Sequence, residues 1–153
     1  MLEKVKKDFC YGCSACASVC PKCAIEMLPD EEGFKYPSIN KEQCIECGLC
    51  EKVCPVLKNE EKKNCLIKNV YGVKHKDMDV LNTSASGGFF TAISDVILSE
   101  GGIVYGAAFD ENMIVRHCRA TSAFERNRMK GSKYVQSDMG NTYLQVKSDL
   151  QNG

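Results

Sequence analysis

No apolar run in this sequence approaches the roughly 20 residues that a membrane-spanning helix needs, and neither sign of charge is in excess. Twenty basic residues face twenty acidic ones, which removes the electrostatic footprint of a nucleic-acid or anionic-membrane binder. The opening, Met1-Leu-Glu-Lys-Val-Lys-Lys-Asp8, is charged and lacks the apolar stretch of a secretory signal, so the expectation is a cytoplasmic protein whose thiols stay reduced. Overall disorder is excluded too, because 44% hydrophobic content is ordinary for a globular chain, and 153 residues permit one domain or two small ones. Against these absences stands an excess of sulfur, with eleven cysteines in the chain.

Eight of those cysteines fall in two runs of the same form. Cys10-Tyr-Gly-Cys13-Ser-Ala-Cys16-Ala-Ser-Val-Cys20-Pro21 returns 34 residues later as Cys44-Ile-Glu-Cys47-Gly-Leu-Cys50-Glu-Lys-Val-Cys54-Pro55. Three thiolates two residues apart on a tight loop can take three iron corners of one cubane, and the fourth corner then needs a remote sulfur. Pro21 and Pro55 lack an N–H and disfavour helix at the residue before them, so each fourth cysteine is expected to leave its own loop. Gly12, Ser14, Ala15, Ala17 and Gly48 are small, which lets backbone N–H groups approach sulfur and tune a cluster's potential.

This spacing resembles that of bacterial-type ferredoxins, in which the fourth cysteine of each run ligates the other of two 4Fe-4S clusters. The resemblance covers residues 5–57 and implies one-electron transfer through two clusters with crossed ligation. Cys10, Cys13, Cys16 and Cys54 would hold one, and Cys44, Cys47, Cys50 and Cys20 the other. Three other readings of the cysteines compete with it: a disulfide framework, a zinc site from Cys20-x2-Cys23 with Cys44-x2-Cys47, and a single surviving cluster. The zinc site leaves Cys10, Cys13, Cys16, Cys50 and Cys54 without a role. Cys23, Cys65 and Cys118 are read as small buried hydrophobes, with Cys23, three residues past Cys20, as a reserve ligand.

Taken in order, residues 4–9 read as a short strand leading into the first loop. Residues 24–28 and 34–36 read as a hairpin about the acidic turn at 29–33, its apolar residues shielding the clusters together with Phe9, Tyr11 and Ile45. The polar run over 58–66 is the expected linker between a domain over 1–57 and a second over 67–153. Beyond it we expect a strand over 69–74 and a helix over 87–99 with Phe89, Ile93, Val96 and Ile97 on its core face. A glycine C-cap at 101–102 should follow. A strand over 102–109 apolar enough to be covered on both faces is expected next, then a turn at 110–112 and an antiparallel strand over 113–120. A helix over 122–130 capped by Ser122 with a solvated Arg-rich face, and a final helix over 141–150 with Tyr143, Val146 and Leu150 on one face, complete the order. The fold class is α+β: a ferredoxin-like dicluster domain followed by a partial α/β domain with about three strands.

Two loops of the second part have the chemistry of phosphate contacts. Ser84-Ala-Ser-Gly-Gly88 opens a helix, and Gly131-Ser-Lys-Tyr134 offers an ammonium and an aromatic ring. These loops, with Gly102-Ile-Val-Tyr-Gly-Ala-Ala-Phe-Asp110, resemble the coenzyme F(420) hydrogenase/dehydrogenase beta-subunit family over residues 66–153. The resemblance implies a flavin-linked oxidoreductase in which iron-sulfur clusters exchange electrons with FAD or a deazaflavin coenzyme. Ser86, Gly87, Gly88 and Lys133 are the candidate phosphate contacts for such a cofactor here, in a site expected to be incomplete without the family's C-terminal half. No catalytic residue is assigned. The expected partner is a redox protein or a flavin-containing domain, and the alternative is a stand-alone ferredoxin-type carrier whose α/β part only docks.

Overall fold

The structure, a computed structural model, describes residues 5–58 and 69–153. The expected linker over 58–66 and the reading of Cys65 therefore lie, apart from Lys58, outside the described residues. Helices and two separate antiparallel hairpins make the chain α+β. Its described residues form two compact units, 5–58 with 143–153, and 69–142.

The first unit carries both cysteine runs. A 3-10 turn, Lys7–Phe9, stands where a strand was expected. Its backbone bonds close on themselves, Phe9 N–H to Lys6 O at 3.0 Å and Cys10 N–H to Lys7 O at 3.0 Å, so the segment joins no sheet. Lys7 reaches from this turn to the hairpin, pairing with Asp30 at 2.8 Å and lying 4.7 Å from the Tyr36 ring centre. Helix α1, Ala15–Val19, and helix α2, Leu49–Val53, are 34 residues apart, matching the repeat. Between them run strands β1, Ile25–Pro29, and β2, Lys35–Ile39, paired from Ile25↔Ile39 to Pro29↔Lys35. The hairpin forms as expected because Asp30 organises its turn, its carboxylate accepting the N–H groups of Glu32 and Phe34, each at 3.0 Å.

The core of this unit is small. Cys16 and Ile25 are buried, and around them pack Val5, Ala17, Met27 and Ile39 together with Cys20, Cys50 and Cys54. Much of what would be hydrocarbon in another domain of this size is cysteine. Helix α6, Thr142–Asn152, belongs to this unit from Tyr143 onward. Its predicted apolar face is only partly covered, since Val146 is half-buried and Leu150 is exposed.

The second unit contains helix α3, Met78–Asn82, helix α4, Phe89–Ser99, strands β3, Val104–Phe109, and β4, Val115–Ala120, and helix α5, Ala123–Asn127. Residues 69–74 are not a strand. Strands β3 and β4 pair from Val104↔Ala120 to Phe109↔Val115 as a two-stranded sheet. The expectation that β3 is covered on both faces is corrected, since most of its residues keep some exposure and only Ala108 is buried. Helix α4 ends as its glycines predict. Gly101 takes φ 77°, its N–H bonds Leu98 O at 3.1 Å, and Gly102 N–H bonds Ile97 O at 2.8 Å, closing a Schellman motif. Ser122 caps α5 by accepting from Glu125 N–H, while the Glu125 carboxylate accepts from Thr121 N–H at 2.8 Å.

Two further expectations fail together, and one residue explains both. Arg126, assigned to a solvated face, is 3% exposed. Its guanidinium donates to Thr91 O at 3.0 Å, to Ser94 Oγ and to Asp95 Oδ1. A buried guanidinium must be paired and hydrogen-bonded, so α4 turns its Thr91 and Ser94 face toward α5 and leaves Phe89, Ile93, Val96 and Ile97 exposed. Loss of charged hydrogen bonds and of packed volume should make Arg126→Ala destabilise this unit by about 2–4 kcal/mol. Asp95→Ala should cost less, because that carboxylate stays half in water and the guanidinium keeps its bonds to Thr91 and Ser94, although it loses its counter-charge. Urea unfolding of both variants followed by circular dichroism checks the contrast, and equal costs would refute it.

Candidate iron-sulfur sites

Both cysteine loops take the same backbone path. Gly12 and Ser14 have φ of 60° and 61°, and their counterparts 34 residues on, Glu46 and Gly48, have 52° and 71°. Left-handed φ is uncommon outside glycine, so its recurrence at matched positions shows two loops built to one geometry. Each short helix then ends at the fourth cysteine. Cys20 has φ −70° and ψ 113°, Cys54 has φ −71° and ψ 118°, and this is the extended conformation that the following proline imposes.

The cysteines gather around two cavities. One, of about 240 Å³, is lined by Cys44, Cys47 and Cys50 of the second run and by Cys20 of the first. The other, narrower, is lined by Cys10, Cys13 and Cys16 of the first run and by Cys54 of the second. We refer to the Cys10, Cys13, Cys16, Cys54 set as site I and to the Cys20, Cys44, Cys47, Cys50 set as site II. Of the expected shielding residues, Tyr11 lines site I and Ile45 lines site II. Phe9 lines neither and is 61% exposed.

The donor chemistry fits polynuclear iron-sulfur centres. Four thiols from two chain segments surround each cavity, whereas among the described residues no three His, Cys, Asp or Glu side chains converge as on a single metal ion. Cys23, which a zinc quartet with Cys20, Cys44 and Cys47 would require, does not line the cavity that those three share. All ten described cysteines are free, which leaves the disulfide framework without a bridge among them. Cys23 is exposed with φ 50°, contrary to its reading as a buried hydrophobe, because its N–H folds back to Cys20 O at 3.2 Å. Cys118 is half-buried against Ala108, Ala120 and Met129.

Electrostatics distinguish the thiols. Burial, with lesser contributions from Cys13 and Cys10, pushes the Cys16 thiol up to about 11. Cys50 is also raised, by burial first and then by the neighbouring Glu51 and Cys44. Ligation requires thiolate, so filling these sites must release protons. Ala24 N–H donates to Cys20 Sγ at 3.3 Å, a contact of the kind that tunes a cluster's potential.

Residues 9–57 match the family model of the 4Fe-4S dicluster domain. The N-terminal part of the chain is therefore an iron-sulfur electron-transfer domain of ferredoxin type. Over 25 residues the chain is 64% identical to pyruvate synthase subunit PorD of Thermotoga maritima, a match to 16% of this chain. The chain spans about a quarter of the length of that relative. Among the described residues no helix is long and apolar enough to cross a membrane.

The second unit brings some of its predicted contacts together and not others. Ser86, Gly87 and Gly88 line an open cavity of about 620 Å³ with Lys130, Gly131 and Ser132. Lys133 does not line it. Its ammonium lies within hydrogen-bond distance of Met129 O at 3.0 Å, Lys130 O at 2.9 Å and Gly131 O at 3.0 Å, knotting its own turn. Gly87 has a local reason for lacking a side chain, since a Cβ there would stand 2.0 Å from Val73 O.

Several residues at these sites were missed by the sequence reading. Lys22, Glu46 and Glu51 line site II, and the 34-residue repeat was signal enough to place them. Tyr143 was not findable in this way. Its hydroxyl is raised by burial and then by Cys13, an arrangement that depends on where α6 docks within its unit.

Proposed function

We propose that the chain relays single electrons through two 4Fe-4S clusters, held crosswise at sites I and II, for a flavin-linked oxidoreductase. The observation that carries this reading is the lining of each cavity by three cysteines of one run and the fourth of the other. A cytoplasmic setting suits thiols that must remain reduced. We divide the chain into the cluster domain over 1–57, a linker over 58–66 and a second part from 67 onward that resembles the coenzyme F(420) hydrogenase/dehydrogenase beta subunit.

Ser86, Gly87 and Gly88 are proposed as pyrophosphate contacts, with Lys130 nearer their cavity than Lys133. That cavity is open, and exposed phosphate contacts are screened at physiological salt, so FAD held by them alone is held weakly. The flavin in this reading sits with a partner protein or a further domain. The alternative is a carrier, in which the second part only docks the cluster domain to a larger oxidoreductase. The similarity to a pyruvate synthase subunit favours it.

One experiment separates the two placements of flavin. The chain is incubated with FAD, desalted and titrated anaerobically with a strong reductant, each cluster taking one electron. Uptake of about two electrons per chain is expected, one for each 4Fe-4S cluster. Uptake of about four, with a flavin spectrum, would place FAD on this chain.

A further inference from the structure

Sites I and II share a backbone but not a charge. The 34-residue repeat sets Glu46 where the first loop has Gly12, Glu51 where it has Ala17, and Val56 where it has Lys22. Lys22, Glu46 and Glu51 all line site II, two carboxylates against one ammonium. Among the described residues, site I is lined by no charged side chain. Glu46 holds φ 52°, the conformation that its counterpart takes as glycine. A non-glycine residue is strained in the left-handed region, so the chain keeps an acid where glycine would be easier.

Reduction of a 4Fe-4S cluster adds an electron and makes it more negative, so a neighbouring carboxylate opposes it. Glu51 is half-buried and weakly screened, whereas Glu46 is exposed and its influence falls with salt.

Resting on the dicluster reading above, we propose that Glu51, assisted by Glu46, is a positioning residue that lowers the reduction potential of the site II cluster and leaves that of site I unmoved. The two clusters thereby differ as steps in the relay, and the difference is written in side chains of one loop.

The test is a redox titration of the cluster-loaded full chain, followed by paramagnetic resonance, with the site I signal assigned through Cys54→Ser. Glu46→Gly with Glu51→Ala gives the second loop the residues of the first. The site II midpoint should rise so that its reduced-to-oxidised ratio at fixed potential grows about tenfold, or about 59 mV for one electron. The reciprocal Ala17→Glu should lower the site I midpoint. Should the double variant fail to hold clusters, Glu51→Gln, which removes the charge at nearly constant size, carries the same test. Midpoints that stay put, or that move together, would overturn the proposal. Iron and sulfide in the parent chain report separately on the dicluster reading. Full clusters with unmoved midpoints sink the tuning alone, and a parent chain without sulfide sinks both.

Discussion

Cys54→Ser is expected to destroy the cluster of Cys10, Cys13 and Cys16, in the other run, while sparing that of Cys44, Cys47 and Cys50. The reason is geometric, for Cys54 lines site I although it follows Cys50 by only four residues. Its helix α2 stops before Pro55 in an extended conformation that carries the thiol out of its own loop. Iron should fall from about eight to about four per chain, the content of one 4Fe-4S cluster. The remaining resonance signal should be that of site II. Cys20→Ser should show the mirror image, softened if Cys23 moves in, and that movement must reshape a turn in which Cys23 now faces solvent at φ 50°. No residue plays that part at Cys54, where the residue three further on is Leu57, so Cys54→Ser is the cleaner variant. Damage to site II instead would refute the crossed assignment.

Removal of the clusters is expected to unfold the first unit and not the second. The first unit's buried core amounts to Cys16, Ala24 and Ile25, packed largely against other cysteines. A core of this size cannot offset the conformational entropy of some sixty residues, so ligation supplies the deficit. Chelation under anaerobic conditions should abolish amide protection over β1 and β2 while leaving that of β3, β4 and α4 in place. Acid should act on the loaded protein in the same direction, because protonating thiolates releases iron. The cluster-free form runs the other way. Its Cys16 thiol is raised by burial from an ordinary value of 9.0 to about 11, so the stability that this thiol contributes to any retained structure is present below about 9 and is lost as pH rises toward about 11. Protection of β1 and β2 that survives chelation would contradict this account.

The dicluster domain was legible because its determinants are local. Cysteine spacing, proline after the fourth cysteine and small residues at tight φ positions act within a dozen residues, and the repeat states them twice. The hairpin was equally plain, since Asp30 and Gly33 organise its turn by themselves. The second unit was read less well because its decisive contact is not local. Arg126 reaches Thr91 and Ser94 more than thirty residues earlier in the chain, and that pairing, invisible to periodicity, decides which face of α4 is buried. Lys133 shows the same limit at the candidate cofactor loops. Its positive charge in the Gly131-Ser-Lys-Tyr134 loop suggested a phosphate contact, but its ammonium is taken up by carbonyls of its own turn.

The most direct test of the central claim is elemental. Protein prepared anaerobically should contain about eight iron atoms and about eight acid-labile sulfides per chain, as two 4Fe-4S clusters require. Stoichiometric zinc without sulfide would contradict it.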